Sequence, residues 1–178
     1  AGEFAQSVHG AALARGNADA PSCTNCHGEH TIYRHNDPRS PVASKNVSQQ
    51  VCSPCHSSVA LTAKYGLAAD RFKTFSDSYH GLAIREGSVE AANCASCHGA
   101  HTIRPASDAA STVNKANLAA TCGRCHPGAN VRFAVGAVHV NLSATAPEPI
   151  LYWIATAYLM IIVIVVGGMV VHNLLDFI

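Results

Sequence analysis

The chain has 178 residues, 48% of them apolar and 13% charged, and its 12 Lys and Arg nearly balance 11 Asp and Glu for a formal charge of +1. That balance leaves no basic surface for a nucleic-acid backbone, so no nucleic-acid partner is expected. Residues 1–149 are rich in Ala, Ser, Asn and Gly, and the whole chain holds only five Phe. A core of large side chains is therefore not expected; short helices, long irregular connections and little or no sheet are.

Ala1 opens the chain without a signal-peptide pattern, which implies a processed or internal start. The first element is Phe4-Ala5-Gln6-Ser7-Val8-His9-Gly10, followed by Cys23-Thr24-Asn25-Cys26-His27-Gly28-Glu29-His30-Thr31-Ile32 and then Cys52-Ser53-Pro54-Cys55-His56. The pattern begins again at Phe75-Ser76-Asp77-Ser78-Tyr79-His80-Gly81. It continues through Cys94-Ala95-Ser96-Cys97-His98-Gly99-Ala100-His101-Thr102-Ile103 to Cys122-Gly123-Arg124-Cys125-His126. The offset is 71 residues from Phe4/Phe75 to Asn46/Asn117, and 70 at Cys52/Cys122. Two copies of one unit, about 4–66 and 75–139, account for this.

All eight cysteines fall in four copies of C-x-x-C-H, the attachment sequence of c-type haem. Residues three apart share a helix face, so Cys23/Cys26, Cys52/Cys55, Cys94/Cys97 and Cys122/Cys125 can each form two thioethers to one porphyrin edge. His27, His56, His98 and His126 then fill one axial position of each iron. A zinc site or a redox disulfide uses C-x-x-C as well, but neither explains a His in all four places. Four haem c groups are expected, and since they consume every thiol, no disulfide is. The apolar filling of the domain would be porphyrin, and the propionates would make the loaded protein acidic, with Arg104 and Arg124 as candidate partners for them.

The second axial ligand determines potential and reactivity. The two Met, Met160 and Met169, lie in the C-terminal apolar run, which leaves His as the distal ligand. The repeat nominates His9, His30, His80 and His101. His30 lies too close to His27 to cross to the opposite face of the same haem. One pairing thus gives His9 to the first haem, His30 to the second, His80 to the third and His101 to the fourth. A second pairing notes that Phe133 to His139 resembles the start of a third copy. His80 would then serve the first module and His139 the second, with His9 spare. Both remain open. His35 has no counterpart in the second copy and reads as a surface residue.

Ala146-Pro147-Glu148-Pro149 reads as a short stiff linker (146–149) between an extracytoplasmic domain at 1–145 and an apolar run. Ile150 to Val171 is uncharged, and 22 helical residues reach roughly 33 Å, enough for a bilayer's hydrocarbon core of about 30 Å. A transmembrane helix is expected at 150–172, with Tyr152 and Trp153 in its aromatic belt and a tail at 173–178. The tail has no Lys or Arg, so the chain is expected to continue beyond Ile178. Gly167-Gly168 would let a helix or cofactor approach closely. His172 reads as an interfacial residue, with a haem b or quinone contact as the alternative.

The motifs Ser-x-His-Gly, then C-x-x-C-H-Gly-x-His-Thr-Ile, then a further C-x-x-C-H, over about Phe4 to His139, resemble the multihaem c-type cytochromes of bacterial respiratory chains. The anchor ending in His172-Asn173-Leu174-Leu175-Asp176-Phe177 looks like that of tetrahaem modules associated with membrane b-type cytochromes. The chain differs from the tetrahaem quinol dehydrogenases, whose anchor is N-terminal and which tend to use a Met near the first haem. It also differs from the tetrahaem subunit of photosynthetic centres, which mainly uses Met ligands.

The resemblance implies a mainly α and irregular fold organised around four haems in two dihaem repeats, with one C-terminal transmembrane helix. It places the chain in the inner membrane as a single-pass protein, with its haem domain on the periplasmic side and in contact with lipid. The expected function is electron relay between a membrane complex, b-type cytochrome or quinone-reactive, and a periplasmic carrier. With six-coordinate bis-His irons the chain is expected to be an electron-transfer subunit rather than an enzyme. The alternatives are a multihaem reductase with one open haem and a polymerising haem conductor.

Overall fold

The computed structural model describes residues 2–135, 138–146 and 149–177. Pro147 and Glu148 of the expected linker, Gly136 and Ala137 of the third Phe-to-His element, and the terminal Ala1 and Ile178 lie outside the described residues. The chain is mostly helical, with no strand among the described residues. It divides into two units, Ala1–Val140 and Asn141–Ile178.

The first unit is a string of short helices: α1 (Gly2–Ala5), α2 (Val8–Ala14), α3 (Cys23–His27), a π-helical turn (Val47–Cys52), α4 (Ser53–His56), α5 (Val59–Lys64), α6 (Arg71–Ser76), α7 (Tyr79–Arg85), α8 (Cys94–His98), α9 (Leu118–Gly123) and a 3-10 turn (Phe133–Val135). Helices shorter than about 12 residues are marginal by themselves, so each depends on caps and neighbours.

The recurrent Phe-x-x-Ser-x-His-Gly is a helix corner. Ser7 caps α2 by accepting from the Gly10 N–H at 3.0 Å and donates to the Phe4 carbonyl at 2.7 Å. Ser78 does the same for α7, accepting from Gly81 N–H at 3.3 Å and donating to Phe75 carbonyl at 2.6 Å. The glycine is required because the two helices touch there. A Cβ on Gly10 would sit 2.0 Å from the Phe4 carbonyl oxygen, and one on Gly81 would sit 2.1 Å from that of Phe75. The motif thus bends the chain and presents the intervening His from the first turn of the second helix.

Further polar contacts repeat at the same offset. Asn46 Nδ2 donates to the Pro38 and Ser40 carbonyls, and Asn117 Nδ2 to those of Ala109 and Ser111. Gly28 and Gly99, which follow the motif histidines, have φ of +85° and +81°, a turn that side-chain-bearing residues rarely make. The extra residue of the first copy is taken up between Asn46 and Cys52. The first copy forms a π-helical turn there, where the second forms the regular helix α9. A wider π turn is how a helix accommodates one added residue.

The copies are tied by few bonds: Val8 N–H to the Ile103 carbonyl (2.9 Å), Ser44 hydroxyl to the Val89 carbonyl (2.9 Å), Asn93 Nδ2 to the Ser44 carbonyl (3.1 Å) and Cys94 N–H to the Ser48 hydroxyl (3.2 Å). Among the described residues the buried apolar side chains are only Ala43, Val47 and Phe75, accompanied by buried Ser7, Ser40, Ser48, Thr62, Thr74, Asn93 and Ser111. The interior is thus small and hydroxyl-lined, with every described buried polar side-chain atom bonded.

The second unit contains α10 (Ile150–Asp176), a helix long and apolar enough to cross a membrane, with mean hydropathy 2.6 in its most apolar stretch and none of that stretch buried. Its 27 residues reach about 40 Å. The expected end at 172 is corrected to Asp176, so most of the expected tail is helical. Nothing between Val171 and Asp176 breaks a helix, and His172 Nδ1 faces Asp176 Oδ2 at 3.2 Å one turn later. Thr156 returns its hydroxyl to the Tyr152 carbonyl at 2.8 Å, which satisfies it inside the helix.

The corner yields a graded prediction. Ser7→Ala should cost about 1 kcal/mol through the lost cap, and Gly10→Ala at least ~2 kcal/mol through the backbone collision. Denaturant midpoints of the two variants check both the order and the size.

Candidate metal centres

The four motifs sit on comparable local scaffolds. α3 and α8 start from a capped turn, with Asn25 Oδ1 accepting from Ser22 N–H at 2.8 Å and Asn93 Oδ1 accepting from Ser96 N–H at 2.9 Å. In α3 and α8 a single helix carries Cys, Cys and His together, whereas in the second motif Cys52 ends the π-helical turn and α4 carries Cys55 and His56. The fourth motif straddles the end of α9, whose last turn bonds His126 N–H to the Cys122 carbonyl at 2.9 Å.

Each motif histidine faces a second histidine from elsewhere in the chain. His27 faces His101 with ring centroids 6.0 Å apart, His56 faces His9 at 6.2 Å, His98 faces His139 at 6.3 Å and His126 faces His80 at 6.0 Å. The separation is nearly uniform and lies at the wide end of the range over which aromatic rings pack, about 4.5–7 Å. A nitrogen lies about 1.2 Å from its ring centre and about 2.0 Å from a first-row metal it ligates, so two imidazoles in trans on one metal have centroids roughly 6.3 Å apart. The spacing therefore suits one metal atom between each pair. Among the described residues, no three or more His, Cys, Asp or Glu converge as a metal cage. Two imidazoles meet at each place.

Neither pairing left open by the sequence is the one adopted. His9 faces the second motif, not the first. His80 likewise faces the fourth motif, not the third or the first module. His101 crosses from the second copy to the first motif rather than reaching the fourth. His139 faces His98 of the second module, as the rival pairing had it, while Phe133 packs on His126 at 5.0 Å between ring centroids. His30, proposed for the second motif, faces no motif histidine. It follows the Gly28 turn, its side chain is 94% exposed, and its nearest charged neighbour is Glu29 at 4.0 Å.

Burial pushes His9, His56, His98 and His139 below the ordinary imidazole value. His56 adds to the effect at His9 and His98, and Arg71 and His98 add to it at His139. Half-buried, these rings stay neutral and keep a lone pair for a metal. The thiols run on from motif to motif. Burial, then Cys23 and Cys55 close by, pushes the Cys26 thiol up. Cys52 and Cys94 lie close together, and their interaction holds the Cys94 thiol down while it pushes Cys52 up. Cys97 is raised by burial and by neighbouring Cys122. The first motif therefore adjoins the second, the second the third and the third the fourth.

Arg124, inside the fourth motif, donates to the Ser96 carbonyl inside the third at 2.6 Å, and Thr112 donates to the Cys97 carbonyl. Arg104 is engaged with Asp108 at 2.9 Å. Sequence reasoning did not single out Ser44, Ser48 or Thr74. The cross-copy bonds of the two serines leave no local pattern. Thr74 has Glu3 at its place in the first copy, so the repeat did not mark it.

The pairing separates two residues that the sequence treats alike. In the metal-loaded chain, His101→Ala should turn one centre from low-spin to high-spin, and His30→Ala should leave all centres unchanged, as read by electron paramagnetic resonance. No family model matches the chain, and no curated protein or solved structure matches it.

Proposed function

We propose that the chain is a membrane-anchored tetrahaem c-type cytochrome that relays electrons. The observation that carries this reading is the coincidence of four C-x-x-C-H motifs with four facing histidine pairs, each containing one motif histidine and each spaced for a single metal between the rings. The residues fit haem c. Each place offers two thiols three residues apart, a motif imidazole next to them in sequence and a second imidazole from elsewhere in the chain.

A haem held by the two thiols of a motif and by its facing histidine pair would supply reversible one-electron storage, and ligation by histidine would favour a lower potential than ligation by methionine. The chain's own contribution is to attach the porphyrin edge through the thiols, to keep the half-buried imidazoles neutral and to block both axial positions against substrate. That favours conduction over bond chemistry. The neighbouring thiols of successive motifs support a relay in chain order, first to fourth. The scarcity of buried apolar side chains supports the same reading, because a unit with so small a core needs apolar material from outside the polypeptide.

The apolar helix α10 would anchor the relay in the inner membrane, with the haem unit on the periplasmic side, where c-type haem is attached. A membrane redox complex, b-type or quinone-reactive, and a periplasmic carrier are the partners that suit a chain with a single membrane helix.

The test is to produce the full chain in two hosts, with and without the machinery for haem attachment, and to measure covalent haem per chain together with folding by circular dichroism. Four covalent haems and a cooperative unfolding transition are expected in the first host, and an unfolded chain in the second. A chain that folds cooperatively without haem would contradict the proposal.

A further inference from the structure

Three of the facing pairs take their second histidine from His9, His80 and His101, each of which precedes the last motif of its copy. The third takes it from His139, beyond the second copy's last motif, on a stretch that follows the 3-10 turn and has little helix to hold it. Besides His98, the ring has α6 beside it: Arg71 and Asp70 lie close, and one side-chain hydroxyl is within hydrogen-bond reach. Thr74 Oγ1 lies 3.1 Å from His139 Nδ1. Thr74 is buried, on α6, four residues before Ser78, the cap of the helix that presents His80.

The hydroxyl has one proton, and it is directed back along α6, to the Asp70 carbonyl at 2.9 Å with the Arg71 carbonyl at 3.2 Å. Toward the imidazole, Thr74 can then only accept. His139 must carry its proton on Nδ1, which leaves the Nε2 lone pair as the one free for a metal. Without such a partner a neutral imidazole exchanges between tautomers, one of which has no lone pair on Nε2.

We infer that Thr74 is the positioning residue of the third centre: it fixes the Nδ1–H tautomer and the orientation of His139, and so sets the basicity of that centre's distal ligand. The inference rests on the tetrahaem reading. A hydrogen bond accepted from the far N–H of a ligating imidazole makes the ligand more basic and favours the oxidised metal. The third centre thereby acquires a control the others do not share through a side chain among the described residues. Because Thr74 and Ser78 are close on the same stretch of chain, the distal ligands of the third and fourth centres are also held by one short segment.

The experiment uses the full-length, haem-loaded chain with Thr74→Val, which keeps the shape and removes the hydroxyl, and Thr74→Ser, which keeps the hydroxyl. Covalent haem per chain, a redox titration and the low-spin resonance spectrum are recorded for both. The expected result is four haems in each, one redox step of the Val variant moved to higher potential with a changed low-spin signal, and the Ser variant like the parent. Four haems with all steps and signals unchanged in the Val variant would overturn the inference alone. So would a Ser variant indistinguishable from Val, or a shift spread equally over all four steps. A parent chain without covalent haem would overturn both the inference and the reading beneath it.

Discussion

Everything in the Ala1–Val140 unit hangs on four gaps between imidazoles, each 6.0–6.3 Å from ring centre to ring centre. Two neutral rings at that distance attract each other weakly. They would not hold four histidines, two on short helices and two on irregular chain, in register against conformational entropy of about 1–2 kcal/mol per ordered residue. A metal between each pair would. The remainder of the unit is arranged as though that closure were supplied: helices of one or two turns, and a buried apolar set of Ala43, Val47 and Phe75. The interior polar groups do local work, capping and cornering the chain, rather than forming a core that stands alone.

The pairings also bind the two repeats into one body. His9 with His56 and His80 with His126 close within a copy, whereas His27 with His101 closes across the copies. Duplication of a unit would by itself give two independent modules; the crossing of His101 to His27 makes the two copies interdependent. The adjoining thiols Cys26/Cys55, Cys52/Cys94 and Cys97/Cys122 are the consequence on the attachment side, a row of four motifs in chain order. Under the proposed function, that row is the path of the electron.

Much of this was legible before any coordinates, because its causes are local. Cys and His at i, i+3 and i+4 need only one helical turn. Ser and Gly around His9 and His80 encode a cap and a close approach that any such corner must have. Ile150–Val171 announces its helix by length and apolarity. The distal partners were not legible, since facing across a gap is a long-range outcome. His30 and His101 occupy equivalent positions, and nothing in their neighbouring residues says that one crosses to the other copy while the other faces solvent. The end of α10 was misplaced because polarity at His172 was taken as a boundary, although helical hydrogen bonding continues through polar residues until something breaks it.

The most direct measurement is the count of low-spin ferric iron per full-length chain, by quantitative electron paramagnetic resonance of the oxidised protein. Four low-spin irons and no high-spin iron per chain are predicted, one for each histidine pair. Fewer than four, or a high-spin iron in the parent protein, would contradict the central claim that every pair closes on one iron.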